Sequence, residues 1–359
     1  VKTPQSKARS RKGGSAIPLD ETDKRLMNML QSNFPLDPEP FALVASEAEL
    51  ELGDVLARTQ RLLDGRIIRE ITPIFDTRAL GYESMLVAAK VDADNPQRAA
   101  HAVNAHPGVS HNYLRTHDFN LWFTIATPPD SELGLHGTLE ALMEETGAES
   151  MRELPTLTLF KINMNLEMEK GTEALAAAVE AAPPRELEAQ PYDADDIALI
   201  KALQGPMAAV ARPYDEAAAE LGIDTEELLS RLGDLRERKI LRRVAAILYH
   251  RRAGFSANGM GVWKVPEDEI MAIGGRMASF RGVSHCYQRP TYEDWPYSVF
   301  TMAHGRSKQE CDAVLDAIAE DCGIGPEGRA TLYSSTEYKK IRLHYFTEEY
   351  REWEEARAR

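Results

Sequence analysis

The chain has 359 residues, 43% of them hydrophobic, and a formal net charge of −15. That length supports two ordinary domains with proper cores. No apolar run approaches the roughly 20 residues of a membrane span, so no membrane partner is expected. An acidic chain lacks the clustered cations that neutralise phosphates, which argues against a nucleic-acid partner. Cys286, Cys311 and Cys322 form no CxxC pair. They suit a reducing cytoplasm and suggest neither a disulfide framework nor a metal site.

Residues 1–18 carry Lys2, Lys7, Arg9, Arg11 and Lys12 without the apolar segment of a secretory signal, so a disordered basic tail is expected. Beyond it the chain repeats itself at a period of about 173 residues. LDETDKRLMNML (Leu19–Leu30) matches YDADDIALIKAL (Tyr192–Leu203), each an acidic cap before apolar positions at helical spacing. RLLDGRII (Arg61–Ile68) matches GDLRERKIL (Gly233–Leu241), and GVSHNYLR (Gly108–Arg115) matches GVSHCYQR (Gly282–Arg289).

Each copy begins with three short helical patterns ending in a strand, the outline of a winged helix-turn-helix, over residues 19–70 and 192–243. A ferredoxin-like βαββαβ pattern follows over 71–168 and 244–348. In the first copy Ile71–Val91 reads as a hairpin turning near Leu80-Gly81. Asn95–Ala105 and Ser131–Thr146 read as helices, Val109–Ala126 as two strands and Thr156–Asn165 as a closing strand. The second copy gives a strand at Trp263, helix Glu267–Phe280, strands near Val283–Gln288 and Ser298–Ala303, helix Lys308–Asp321 and strand Glu337–Tyr345. A polar linker is expected over 169–191 and a C-terminal tail over 349–359. The fold class is therefore α+β, a tandem of winged helix and ferredoxin-like units. This plan resembles the Lrp/AsnC regulators, whose effector domains pair sheet to sheet, so the halves are expected to form an intramolecular pseudo-dimer.

The presumptive recognition helices are acidic, with Glu47, Glu49, Glu51 and Asp54 in one copy and Asp215, Glu216, Glu220, Asp224, Glu226 and Glu227 in the other. Each acid near a phosphate costs roughly 1 kcal/mol even in high dielectric. The alternative is that Arg58, Arg61, Arg231 and Arg236 still touch DNA.

Alternation along a strand puts Val109, His111, Tyr113 and Arg115 on one face, and Val283, His285, Tyr287 and Arg289 on its counterpart. A helix-backed face should be apolar, so these sets should line the open faces and meet across the pseudo-dimer. His117, Trp122, Tyr292, Trp295 and Tyr297 extend the pocket with polar and aromatic walls, and Lys161, Lys339, Lys340 and Arg342 add cations. Such a cationic, aromatic pocket suits a flat ring system edged with carboxylates, and imidazoles there can exchange protons or meet iron. A lone strand histidine is more often structural, and duplication can copy a structural feature. His101, His106, His136, His250 and His344 read as surface or packing residues, while His304 is undecided.

GVSHNYLRTHDFNLWFT (Gly108–Thr124) and GVSHCYQRPTYEDWPYSVFTMAHG (Gly282–Gly305) resemble the signatures of the two subunits of siroheme decarboxylases. LPTLTLFKI (Leu154–Ile162) and LYSSTEYKKIRLHYF (Leu332–Phe346) resemble their closing segments. The resemblance implies removal of carbon dioxide from the C12 and C18 acetates of siroheme, giving didecarboxysiroheme for heme d1 or heme b synthesis. No added cofactor is implied, the iron tetrapyrrole being the substrate. Carried over, His111 and His285 become proton donors or iron-facing groups, with His117 next for acid–base work. Arg115, Arg289 and Lys340 become carboxylate clamps, and Tyr113 and Tyr287 hydrogen-bonding groups. His117 has no counterpart in the second copy, where PTYEDW is inserted, so the pockets should differ. The fused chain could associate further as a homodimer. A transcriptional regulator and a heme-binding sensor remain the alternatives.

Overall fold

The computed structural model describes residues 17–32, 34–162, 188–249 and 257–357. The expected tail lies almost wholly, and the linker mostly, outside them, as does His250. Three helices open the first half: α1 (Glu21–Ser32), α2 (Pro40–Ala48) and α3 (Leu52–Asp64). Pro40 occupies the first turn of α2, where a missing N–H costs nothing. The second half opens with α6 (Ala194–Leu203), α7 (Asp215–Leu221) and α8 (Thr225–Glu237). Asp193 and Asp196 form a capping box that starts α6.

Strands β1 (Ile68–Phe75) and β7 (Leu241–Leu248) follow the two helix triplets and pair antiparallel with each other. The expected hairpin is therefore corrected. The chain does turn at Gly81 (φ 74°), but β1 takes its partner from the other half, not from β2 (Glu83–Lys90). This ribbon lets the two winged helices share one core, from Leu26, Leu30 and Phe41 to Leu228, Leu232 and Leu235.

The ferredoxin-like units comprise β2, α4 (Pro96–Ala105), β3 (Val109–Arg115), β4 (Leu121–Thr127), α5 (Gly134–Thr146), β5 (Ser150–Leu154) and β6 (Thr158–Ile162) in the first half. The second half supplies β8 (Ala257–Trp263), α9 (Ile270–Ser279), β9 (Val283–Gln288), β10 (Val299–Gly305), α10 (Lys308–Cys322) and β11 (Arg329–Lys340). Their strands run in the order β5-β2-β4-β3-β11-β8-β10-β9-β6. The closing strands are exchanged between halves. β11 begins on β8 of its own half and ends on β3 of the other, with Lys340 opposite His111. In the first half β5 pairs with β2, and β6 crosses to β9, with Ile162 opposite His285. Pro155 stands between β5 and β6 and cannot donate to a ladder, which suits a break where β11 runs on. β11 starts eight residues before the expected strand for the same reason: its first part belongs to the other joint.

Helices α4 and α5 cover one outer face, and α9 and α10 the other. Between the inner faces lies a third layer, with Ala88, Trp122 and Leu154 meeting Met260, Val262, Trp295, Phe300 and Leu332. The expected C-terminal tail is instead a docked helix, α11 (Glu349–Glu355), burying Tyr350 and Trp353. Its Glu354 accepts hydrogen bonds from Ser131 Oγ and Glu132 N, and Trp353 packs edge-on against His106 at 4.4 Å. No helix among the described residues is long and apolar enough to cross a membrane.

Trp295 is fully buried and meets Trp122 at 5.1 Å and Phe119 at 5.8 Å across the halves. Trp295→Ala is expected to cost about 3–5 kcal/mol and to lower the thermal midpoint clearly. Met271→Ala, at a side chain 57% exposed, should leave the midpoint unchanged. Equal midpoints for the two variants in thermal unfolding would contradict the inter-sheet core.

Candidate active site

The first histidine strand begins at a close backbone approach. A Cβ on Gly108 would lie 1.9 Å from the Ala126 carbonyl oxygen, so only glycine fits there. A bulge follows in β3 between Val109 and His111, and one on the β9–β10 ladder between Met302 and Ala303. It reverses the parity expected from simple alternation. Val109 and Val283 belong to the helix-side cores, whereas His111 and Tyr113 lie opposite Thr124 and Trp122 on the inner face. His285 and Tyr287 lie likewise opposite Met302 and Phe300.

His111 Nδ1 lies 2.9 Å from Ser110 Oγ, which is 2.7 Å from Thr124 Oγ1. His285 Nδ1 lies 2.7 Å from Ser284 Oγ, which is also 2.7 Å from His304 Nε2. The ring of Tyr113 is 6.1 Å from that of His111, and Tyr287 is 5.9 Å from His285. These four rings keep some accessible surface. The His111 imidazole is nonetheless crowded enough that desolvation, with smaller contributions from Lys340 and Arg69, pushes its pKa down to about 4. Burial and then Lys340 bring His304 to about 4 as well.

Arg115 and Arg289 occupy their expected strands but turn inward. Arg115 Nη1 donates to Leu332 O at 2.8 Å, and Arg289 Nη1 donates to Leu154 O, each bond crossing to the other half. Both guanidinium groups stack on the neighbouring tyrosine, at 5.6 Å for Tyr113 and 4.8 Å for Tyr287. Burial lowers each pKa to about 10, and each Nε is buried without an acceptor. Among the described residues neither forms a salt bridge with a carboxylate. They supply uncompensated positive charge behind the histidines, rather than exposed clamps.

Five other expected site residues sit elsewhere. Lys161 Nζ donates to Phe280 O at 2.7 Å, and Lys339 Nζ donates to Asn104 O and His106 O at 2.9 and 3.1 Å. Both therefore tie down the ends of α9 and α4 on the helix side, where a cation suits the carbonyl end of a helix. Arg342 bonds to Pro73 O and Gln204 O and lies 3.5 Å from Glu70, holding the winged-helix ribbon to β11. Trp122 is fully buried in the inter-sheet core, with its indole N–H on Phe119 O, and is not an open wall. His117 lies beyond the end of β3. Four strand steps already put Arg115 about 13 Å from His111, so His117 does not share a reacting atom with it. Its Nδ1 accepts from Phe119 N, its ring meets Trp295 at 5.2 Å, and burial lowers its pKa.

Several residues went unnoticed in the sequence. Ser110 and Ser284 precede each histidine in the repeated GVSH, which was a readable signal. Arg69 acts on His111, and Arg242 acts on Tyr287. They hold equivalent places just after RII and KIL, so the repeat could have found them. Arg78 acts on Tyr287 and Arg289 with no such signal. In the first winged helix, Arg58 and Arg61 are engaged by Asp20, Asp23 and Asp54. In the second, Arg231 is engaged by Glu227 and Asp195.

Comparison with known proteins agrees with this architecture. An AsnC-like ligand binding domain matches residues 79–161 and 252–339, and a siroheme decarboxylase NirDL-like HTH domain matches 23–69 and 196–242. A siroheme decarboxylase of Hydrogenobacter thermophilus is 41% identical over 335 residues, covering 93% of this chain and 97% of that protein. A siroheme decarboxylase beta subunit of Methanosarcina barkeri is 40% identical over 148 residues, 41% of this chain and 96% of the subunit. The crystal structure of the siroheme decarboxylase NirDL in co-complex with an iron-uroporphyrin III analogue superposes with a TM-score of 0.72 at 36% identity. That match covers 94% of this chain and 98% of the other. Two winged helices, two exchanged sheets and the full-length match lead to one conclusion: the chain belongs to the siroheme decarboxylase family.

Proposed function

We propose that the chain removes carbon dioxide from the C12 and C18 acetate side chains of siroheme, yielding 12,18-didecarboxysiroheme. One observation carries this reading: a half-buried His–Tyr pair recurs at both strand-exchange joints of a chain that matches siroheme decarboxylases over nearly their whole length. When an acetate loses carbon dioxide, the C–C bonding electrons remain on the methylene carbon and spread into the conjugated macrocycle. A proton then completes the methyl group. His111 and His285 donate that proton, one at each joint.

Tyr113 and Tyr287 hold the substrate by hydrogen bonds, and Lys340, Arg69 and Arg242 meet its remaining carboxylates. Arg115 and Arg289 contribute a buried positive field, strong in so dry a place. The electron sink belongs to the substrate, so this reaction requires no further cofactor. His117, beside Trp295, serves as a wall residue with no part in the proton transfer at His111.

Anaerobic incubation of siroheme with the protein should give a product lighter by two carbon dioxides in mass spectrometry; recovery of unchanged siroheme would sink the activity. His111→Ala and His285→Ala should each slow decarboxylation of one acetate about 10²–10⁴-fold, and a variant that kept the full rate would remove that histidine as donor. Lys340→Ala should raise KM. Lys339→Ala should leave KM alone and lower the thermal midpoint; the reverse pattern would contradict the assignment of faces.

Burial keeps the His111 imidazole neutral, with a pKa of about 4. Bound carboxylates favour imidazolium and raise that value. Binding therefore takes up a proton, and affinity for siroheme should strengthen as pH falls from neutrality toward about 4, where the free imidazole itself protonates. A flat or weakening affinity over that range would contradict substrate carboxylates beside His111.

A further inference from the structure

The two histidines are backed differently. Among the described residues, His111 is backed by hydroxyls alone, Ser110 Oγ at 2.9 Å and Thr124 Oγ1 at 3.4 Å from Nδ1. Behind His285 stands a second imidazole, reached through one hydroxyl: His285 Nδ1 to Ser284 Oγ is 2.7 Å, and Ser284 Oγ to His304 Nε2 is 2.7 Å. His304 holds the place of Ala126 in the first half, because His304 N donates to Gly282 O as Ala126 N donates to Gly108 O. His304 and Ser284 are both buried, so protons reach this unit through its own atoms more readily than from bulk water. Ser284 Oγ also lies 3.3 Å from Met302 O, a longer alternative for its hydrogen than either ring. A hydroxyl has one hydrogen, so the occupancy of one ring nitrogen constrains the other.

We propose that His304 is a positioning and proton-relay residue that acts on His285 through the Ser284 hydroxyl. The proposal rests on the decarboxylase reading for its substrate. In the step, the C–C bond to the carboxylate breaks and carbon dioxide leaves. His285 gives its Nε2 proton to the methylene carbon, forming the new C–H bond. Ser284 Oγ passes its hydrogen to His285 Nδ1 and takes one from Nε2 of a doubly protonated His304. The extra proton, taken up by the His285–Ser284–His304 unit when the substrate's carboxylates bind and favour imidazolium, ends in the methyl group, and both imidazoles finish neutral. In the first half Ala126 takes the place of His304, and among the described residues no titratable group stands there behind His111, so its donor reloads from the front of the site. The joints are therefore functionally unequal: the second carries its own proton store.

Three variants and two readouts test this. Ser284→Ala and His304→Gln should each lower kcat at least about tenfold, within the range of general acid catalysis, with KM within about twofold of the parent. Ser284→Thr, which keeps a hydroxyl, should recover most of the loss. In the substrate-free protein at fixed pH, imidazole ¹⁵N NMR should show the His285 tautomer balance changed by both Ser284→Ala and His304→Gln, and preserved in Ser284→Thr. Unchanged kcat in Ser284→Ala, or a His285 signal indifferent to both variants, would overturn the relay. Should His304→Gln not fold, the Ser284 pair decides alone. If the parent protein leaves siroheme intact, the activity reading fails by itself, and an unchanged His285 signal would still defeat the coupling.

Discussion

The exchange of closing strands is the constraint on which the rest of the molecule depends. A ferredoxin-like sheet whose last strand stays at home presents a free edge, with unpaired N–H and C=O groups. Here β6 completes the edge beside β9, and β11 runs from β8 across to β3. Each half thus finishes the hydrogen bonding of the other. The same crossing sets Lys340 beside His111 and brings Leu332 and Leu154 to where Arg115 and Arg289 can donate to their carbonyls. Two buried guanidinium groups held by neutral acceptors are costly for stability alone, which fits a site built to receive an anion.

The winged helices serve this arrangement as framework. Their β1–β7 ribbon and common core make one body of two modules, and Arg342 ties that body to the end of β11. Cations that a DNA reader would present are spent internally: the nearly inaccessible Asp23 takes both Arg58 and Arg61. Arg69 and Arg242, on the same ribbon, act electrostatically on His111 and Tyr287, so the wings contribute charge to the histidine layer.

Much of this was legible in the sequence because the repeat states each element twice. Helix caps, the order of strands and helices, and the paired GVSH strands all followed from pattern. What escaped has physical causes. A β-bulge adds one residue and inverts every later side chain, so alternation counted from Val109 put it on the wrong face, and nothing in GVSH announces the bulge. Lys339 and Lys340 are neighbours of identical chemistry, and only register separates a helix tether from a site cation. The partner of β1 was invisible because antiparallel pairing depends on what lies across space, and the nearest apolar strand in sequence was the wrong choice. Trp122 was read as a wall because an aromatic on an inner face looks the same whether it meets a ligand or another tryptophan.

The halves are also less alike than their motifs. Ile162 stands where the other joint has Lys340, and His304 stands where the other has Ala126. Joining both halves in one chain keeps such a mismatched pair at equal stoichiometry. The most direct measurement is a crystal structure of the protein loaded anaerobically with siroheme. The account predicts the macrocycle between the inner faces, with an acetate within hydrogen-bonding reach of His111 or His285 and a second carboxylate on Lys340. Siroheme bound against the winged helices or the outer helical layers would contradict it.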